Sequence, residues 1–424
     1  MIMKTSWTKK EHDKAVLLAA VRQFGPLSRV GLHRLTRWRP STISTLVREL
    51  LNEGKLREAG TSNNPLGRKQ ILLTINECYG FIAAVELDSE RVIAAAMDLT
   101  PTILDIVSQP ACVDAGIDGL IEQVIHCASQ VIERQKKTGR KLLGIGFADT
   151  GLIDSHSGVS VTSSLTEFWQ NVPLKKLFEE KFQVEFLLES NTRAKTVAER
   201  ILGAGEMADD MVYIDYGVGI GAGIFAGGRL LRGATETAGE IGHTQVMENG
   251  PSCKCGSFGC LEALASSAAI AARARKAIRE GSFSKALALS GDIDSICGWT
   301  VLEAARAGDK LCTSLLEDAE SHLGLAIANL VNLFNPQVVV LSKRLELAGD
   351  GLADRIARIV RRQALPHATM NLAFRMGKLG DEAGVLGAGL LVLEKLYQIP
   401  AIRPPRFLKP DFRGAALARA SEVL

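Results

Sequence analysis

The sequence predicts an α/β chain in which a small winged helix-turn-helix head precedes a two-lobed body. Three observations carry that expectation. The N-terminus is basic and helical in its periodicity, strands and helices alternate after it, and strand-turn-strand starts near residues 81 and 211 suggest a duplicated fold with a cleft between its halves. A length of 424 residues is too great for one compact domain. The expected divisions are a head over 1–75, a first lobe over 76–199, a second lobe over 200–398 and a tail over 399–424.

Composition narrows the class. Hydrophobic residues make up 46% and charged residues 23%, as in a globular protein able to bury a large core. No apolar run approaches the ~20 residues of a membrane span, so no membrane partner is expected. The opening "MIMKTSWTKKEHDK" is too polar for a secretory signal, which points to the cytoplasm. In such a reducing compartment eight cysteines argue for metal or free thiols over a disulfide framework. The net charge of +3 hides an asymmetry: residues 1–70 hold fourteen Lys and Arg against five Asp and Glu. A basic head on an acidic body implies a polyanionic partner, or a merely solvated charged face.

The head is read element by element. In "EHDKAVLLAAVRQF" the positions Val16, Leu17, Ala20, Val21 and Phe24 line one helical face, and Gly25-Pro26 stops the helix. Ser28 caps a short second helix, "RVGLHRL". Pro40-Ser41 opens a third, with a stripe of Ile43, Leu46, Val47, Leu50 and Leu51 turned inward. Its outer face then carries Ser41, Thr42, Ser44, Thr45 and Arg48. Small hydroxyls allow close approach to phosphates and base edges, and a long Arg reaches a guanine. Two strands follow, flanking a loop whose basic tip, Arg68 and Lys69, suits a wing against the DNA backbone or minor groove. A helical oligomerisation module is the competing reading of the same segment.

In the body, "FIAAVELDSERVIAAAMDL" reads as two strands turning at Asp88-Ser89. An amphipathic helix, "GIDGLIEQVIHCASQVIERQKK", and a buried strand, "KLLGIGFADTGLID", come next. A strand over 186–188 and a helix over 192–202 precede the strand "MVYIDY". That strand enters a glycine-alternating run, Gly217, Gly219, Gly221 and Gly223. The run fits two structures equally well, a phosphate cradle or a tight hairpin between packed layers. A long helix and the apolar strand "PQVVVL" complete the core pattern.

One cluster carries chemistry of its own. His243, Cys253, Cys255 and Cys260 supply three thiolates and one imidazole, a full tetrahedral zinc shell with no position left for water. Gly256 and Gly259 let the loop turn tightly enough to gather the sulfurs. The expectation is a structural Zn2+; free thiols in a surface loop are the alternative. Cys78, Cys112, Cys127, Cys297 and Cys312 are scattered and read as small buried hydrophobes.

The stretches "GATETAGEIGHTQV" and "CKCGSFGCLEALAS" resemble the signature of the ROK family of sugar kinases and sugar-responsive repressors. The resemblance covers nearly the whole chain and, with a head in front, points to the repressor branch. It implies an actin-like (ribonuclease H-like) duplicated ATPase/sugar-kinase fold. It also implies that the same four residues ligate zinc, and that Glu240, His243 and Glu262 face a sugar. Ser164 and Asn191 would add ligand hydrogen bonds.

The departures from the kinase pattern decide the expected activity. The Gly-x-Asp-x-Gly-Gly-Thr phosphate motif of family kinases corresponds here to "AVELDSE", residues 84–90, whose Asp88 and Glu90 repel phosphates. The second loop reads Gly217-Val218-Gly219 without its hydroxyl, and expected glycines near the adenosine are Ser342 and Lys343. The family's catalytic aspartate falls on Asn191, an amide too weak to act as base. No catalytic residue is therefore expected. The reading is a pseudokinase body, sensing a sugar or sugar-phosphate effector and attached to a head that binds double-stranded operator DNA. A homodimer or dimer of dimers is expected, because two recognition helices must match two half-sites. An active hexose kinase and a regulator that answers to a protein partner are the alternatives.

Overall fold

The computed structural model describes residues 8–62, 69–88, 90–163 and 166–397. Arg68, Ser164 and the tail expected over 399–424 lie outside them.

In the head, α1 (Lys9–Phe24) opens on a reciprocal cap: Thr8 accepts from the Glu11 backbone while the Glu11 carboxylate accepts from Thr8. After the two-residue β1 (Leu27–Ser28), α2 (Arg29–Thr36) is capped by Ser28, as expected. The third helix, α3 (Pro40–Asn52), starts with Pro40 at its first position, where no backbone N–H is needed. β2 (Leu56–Thr61) and β3 (Ile71–Ile75) pair antiparallel, and β1 adds to β3 to complete the wing sheet. Leu17, Leu32, Ile43, Leu50 and Leu73 are completely buried where helices and sheet meet. Leu51 alone of the predicted stripe is only half buried, because it sits on the last turn beyond the sheet.

The first lobe contains β4 (Gly80–Leu87), β5 (Arg91–Met97), β6 (Ile103–Pro110), α4 (Gly116–Lys136), β7 (Lys141–Asp149), a small meander of β8 (Leu152–Asp154), β9 (Val159–Thr162) and β10 (Gln170–Val172), then α5 (Leu174–Phe182), β11 (Phe186–Ser190) and α6 (Asn191–Ile201). The second contains β12 (Met211–Tyr216), β13 (Ile220–Ala226), β14 (Arg229–Leu230), α7 (Leu261–Ala265), α8 (Ser267–Arg279), α9 (Lys285–Ser290), α10 (Gly298–Arg306), α11 (Lys310–Phe334), β15 (Val338–Leu341), α12 (Leu352–Gln363), α13 (Pro366–Thr369), β16 (Ala373–Met376) and α14 (Ala383–Leu396).

The duplication expected from the strand starts is exact in topology. One sheet runs β11-β7-β4-β5-β6 and the other β16-β15-β12-β13-β14, each with two parallel pairings followed by two antiparallel ones. Every residue of β4 is buried, as befits a central strand covered on both faces. α4 lies over one face, and α14 packs on β4, β7 and α6 over the other. The chain therefore returns to the first lobe after completing the second. Residues 383–396 were expected with the second lobe, yet they pack with the first, because a linear boundary cannot express a crossing-back helix.

The glycine run is resolved as a hairpin. β12 and β13 pair across it, and a Cβ on Gly223 would lie 1.7 Å from the Thr196 hydroxyl on α6. Gly221 and Gly223 let α6 lie directly on the sheet, since a Cβ on Gly221 would lie 2.7 Å from the Thr192 hydroxyl.

Candidate functional site

Three places gather the residues singled out by sequence. On α3, Ser41, Thr42, Ser44, Thr45 and Arg48 are all exposed, opposite the buried Ile43, Leu46, Val47 and Leu50. Lys69 is exposed at the start of the wing's return strand. A groove beside the start of α3 is lined by Lys9 and Lys10 from α1 together with Ser41, Thr42 and Thr45. The two lysines went unnoticed in sequence because only the packing of α1 against α3 brings them alongside.

The second place is the cysteine loop. The ligand atoms of His243, Cys253, Cys255 and Cys260 all lie within 4.8 Å of one another. Cys255 and Cys260 sulfurs are 3.7 Å apart, and Cys253 Sγ is 3.6 Å from His243 Nδ1. A disulfide needs about 2.05 Å, so this is no disulfide. Tetrahedral zinc at about 2.3 Å from sulfur would set sulfur–sulfur edges near 3.8 Å, which these separations match. The backbone N–H of Ser257 heads the contacts that bring the Cys255 thiol down to about 7, while burial pushes Cys260 up to about 11. At Gly259, φ is +66° and a Cβ would strike the Met247 carbonyl at 1.8 Å, so only glycine permits the turn. Of the scattered cysteines, Cys127 and Cys312 are buried as expected. Cys78, Cys112 and Cys297 are exposed, which corrects the reading of all five as core: they stand at element ends, where one apolar residue leaves no periodic trace.

The third place is the cleft between the sheets. Asn191 is the first residue of α6, capped by Ser190, and its buried Oδ1 has no hydrogen-bond partner among the described residues. Glu240 lies at the cleft rim. Burial pushes its carboxyl upward, against the pull of His243 and Arg193 and with a push from Glu262. Glu262 accepts from the Ile220 backbone at 3.2 Å, so one of its oxygens braces the glycine hairpin. His243, Glu262 and Arg193 thus lie within electrostatic reach of Glu240.

Sequence reasoning missed the charged groups filling that cleft. Glu189 on β11 takes Arg193 Nε at 2.6 Å and Arg232 at 2.7 and 3.0 Å. Arg193 Nη1 donates to the Glu236 carbonyl at 2.6 Å, and the Glu236 carboxylate accepts from the Ser155 backbone at 2.8 Å and from its hydroxyl. Further along α6, Lys195 Nζ lies 3.2 Å from Asp215 and 3.8 Å from Glu86. Burial pushes the Glu86 carboxyl up to about 7 despite Lys195. Burial pulls Lys195 the other way, yet Asp215, Asp88 and Glu86 hold its ammonium above its ordinary value. Arg344 bridges Asp88 and Asp381, each at 3.2 Å, and lies over the Trp299 ring, whose N–H donates to Glu90 at 3.3 Å. Asp88 and Glu90 are legible in sequence as departures from the kinase pattern, but their partners Arg344 and Trp299 lie on other elements far along the chain.

Residues 83–395 match the ROK family. The chain belongs to the ROK family. Similar ROK-type relatives include the xylose repressor of Caldicellulosiruptor bescii, 27% identical over 92% of this chain and 98% of its own length. The transcriptional repressor Mlc of Escherichia coli is 28% identical, with 90% and 93% covered. Among solved structures, a ROK family transcriptional regulator homologous to E. coli Mlc superposes with a TM-score of 0.79 at 26% identity, covering 92% of this chain and 96% of that one. A ROK family glucokinase from Streptomyces griseus, bound to glucose and AMPPNP, gives 0.64 at 26% identity over 74% of this chain and 99% of its own. The fold of this ROK chain is therefore that of both regulators and kinases, and the head is what the regulators share with it.

Proposed function

We propose that this chain is a DNA-binding, sugar-responsive transcriptional repressor of carbohydrate genes, whose kinase-like body senses an effector without transferring phosphate. The observation that carries the reading is α3, a helix with its apolar stripe sealed and Ser41, Thr42, Ser44, Thr45 and Arg48 exposed, in a head of three helices and a three-stranded sheet. Arg68 and Lys69 of the wing would contact the backbone. The repressors similar to it match across the head as well as the body.

The silent body is argued from the cleft. Asn191 stands where a base is required, and a neutral amide does not remove a hydroxyl proton. Glu86, Asp88, Asp215 and Asp381, held by Lys195 and Arg344, occupy the side where a nucleotide's phosphates would approach. Carboxylates there repel a triphosphate, and the cations are already engaged. His243, Cys253, Cys255 and Cys260 would hold Zn2+. That ion would tie the loop to the cleft while offering no open coordination position. Asn191, Glu240, His243 and Glu262, with Ser164, would meet the effector. The protein would act as a homodimer or dimer of dimers in the cytoplasm, with the effector favouring one lobe arrangement and so one spacing of the heads.

Selection of genomic fragments by the purified chain tests the reading. A recurrent two-fold site near carbohydrate genes is expected, and Arg48→Ala should weaken that site roughly 10-fold or more, the loss of one good base contact, while random DNA is held nearly as before. Equal loss on both would sink the base-reading role, and no selected site would sink the repressor.

A further inference from the structure

We propose that Arg193 sets the effector's chemical class: its Nη2 receives an anionic group, so the ligand is an acidic carbohydrate and not a neutral sugar. The inference rests on the effector-sensing reading above and deepens it.

Arg193 is buried, and two of its three nitrogens are committed, Nε to Glu189 and Nη1 to the Glu236 carbonyl. The third, Nη2, is buried with no partner among the described residues. A buried charged donor without an acceptor is rare, and rarer still where every other atom of the group is held in place. Arg193 also lies within electrostatic reach of the Glu240 carboxyl, as do His243 and Glu262. Asn191 Oδ1, two residues earlier, is a second buried atom without a partner among the described residues, and it asks for a donor such as a hydroxyl.

Charge favours an anion as the acceptor at Nη2. Glu189 is shared by two guanidiniums, Arg193 and Arg232, so that triad retains one positive charge. The Glu236 carboxylate is turned onto Ser155 and only its backbone carbonyl reaches Arg193. Arg193 sits in the first turn of α6, where the helix adds positive potential. Glu240 is the opposing acid at the rim, and it too can take a ligand hydroxyl. A carbohydrate bearing a carboxylate or a phosphate ester satisfies both orphaned atoms, its hydroxyl on Asn191 and its anion on Arg193. A guanidinium recognises either anion by the same planar fork.

The full-length protein is titrated with matched sets: glucose, glucuronate and glucose 6-phosphate, and the corresponding galactose and mannose sets. Melting temperature and Kd are read. At least one acidic member is expected to bind tenfold or more tightly than its neutral parent, and the uronate and phosphate arms identify which anion is used. Arg193→Gln should bring that ratio close to one while operator binding persists, and Arg193→Lys should retain part of it. If Arg193→Gln does not fold, the wild-type ratio decides alone. A neutral parent that binds as tightly, an acid preference that survives Arg193→Gln, or no response to any acidic member overturns the proposal. Operator selection by the same preparation keeps this outcome separate from failure of the repressor reading.

Discussion

Arg22 on α1 lies 2.6 Å from Glu394 on α14, so the DNA-facing head is moored to the last described helix of the body. Its guanidinium also lies 4.9 Å above the Tyr397 ring. The other end of α14 reaches the cleft, where the Val385 N–H donates to Glu86 at 3.1 Å, and its length packs on α6, which carries Asn191 and Arg193. One helix therefore touches both the head and the elements that carry Glu86, Asn191 and Arg193. An ion pair at this exposure contributes about 0–1 kcal/mol by itself, so its interest is positional. Arg22→Ala is expected to leave the fold and basal operator affinity nearly intact while shrinking the effector-induced change in that affinity. An unchanged ratio of affinities with and without effector would remove α14 from the coupling route.

Cys255→Ser takes one of the four proposed ligands from the His243–Cys260 cluster. Bound zinc, measured by atomic emission on the purified chain, should fall well below one per chain, and the body should melt several degrees lower. Full metal content in the variant would refute the ligand assignment.

Asn191→Asp would place a carboxylate where the proposed reading finds no base, while Lys195 and Arg344 still hold Asp215 and Asp88 in place. A coupled assay with ATP and hexoses should detect no turnover in either protein. Turnover by the wild type would make it a kinase, and turnover by the variant alone would show that the phosphate side of the cleft is intact.

Asp149 gives a pH dependence. It is fully buried, and burial pushes its carboxyl up to about 6 although Ser160, the Trp169 N–H at 3.1 Å and the Thr150 N–H at 2.8 Å stabilise the charged form. Because its folded value exceeds the unfolded one near 3.9, the folded chain binds the proton more tightly. The contribution is present at low pH and fades as pH rises from about 4 through about 6. Over that interval it amounts to about 3 kcal/mol. Asp149→Asn, which cannot ionise, should therefore gain on the wild type in denaturant midpoint between pH 4.5 and 7.5. A constant gap between the two proteins would mean the carboxyl is charged throughout.

Much of this protein was legible in one dimension. Wherever a signal is local, the sequence by itself determined the outcome. Helical periodicity placed α1 and α3 and their outward faces, turn residues placed the β4–β5 hairpin, and the run from His243 to Cys260 gathered one imidazole and three thiols close together within a single loop. Each depends on residues close along the chain, whose geometry backbone stereochemistry dictates. The tertiary structure alone decided that α14 leaves the second lobe to pack on the first. It also decided that Gly223 serves helix packing rather than phosphate. The same holds for the partners of Lys195 and Arg344 and for the Glu236 carbonyl that meets Arg193, which come from strands and loops remote along the chain. Long-range pairing of charges leaves no periodic mark, because the low dielectric that selects the partners exists only once both sheets have closed around α6.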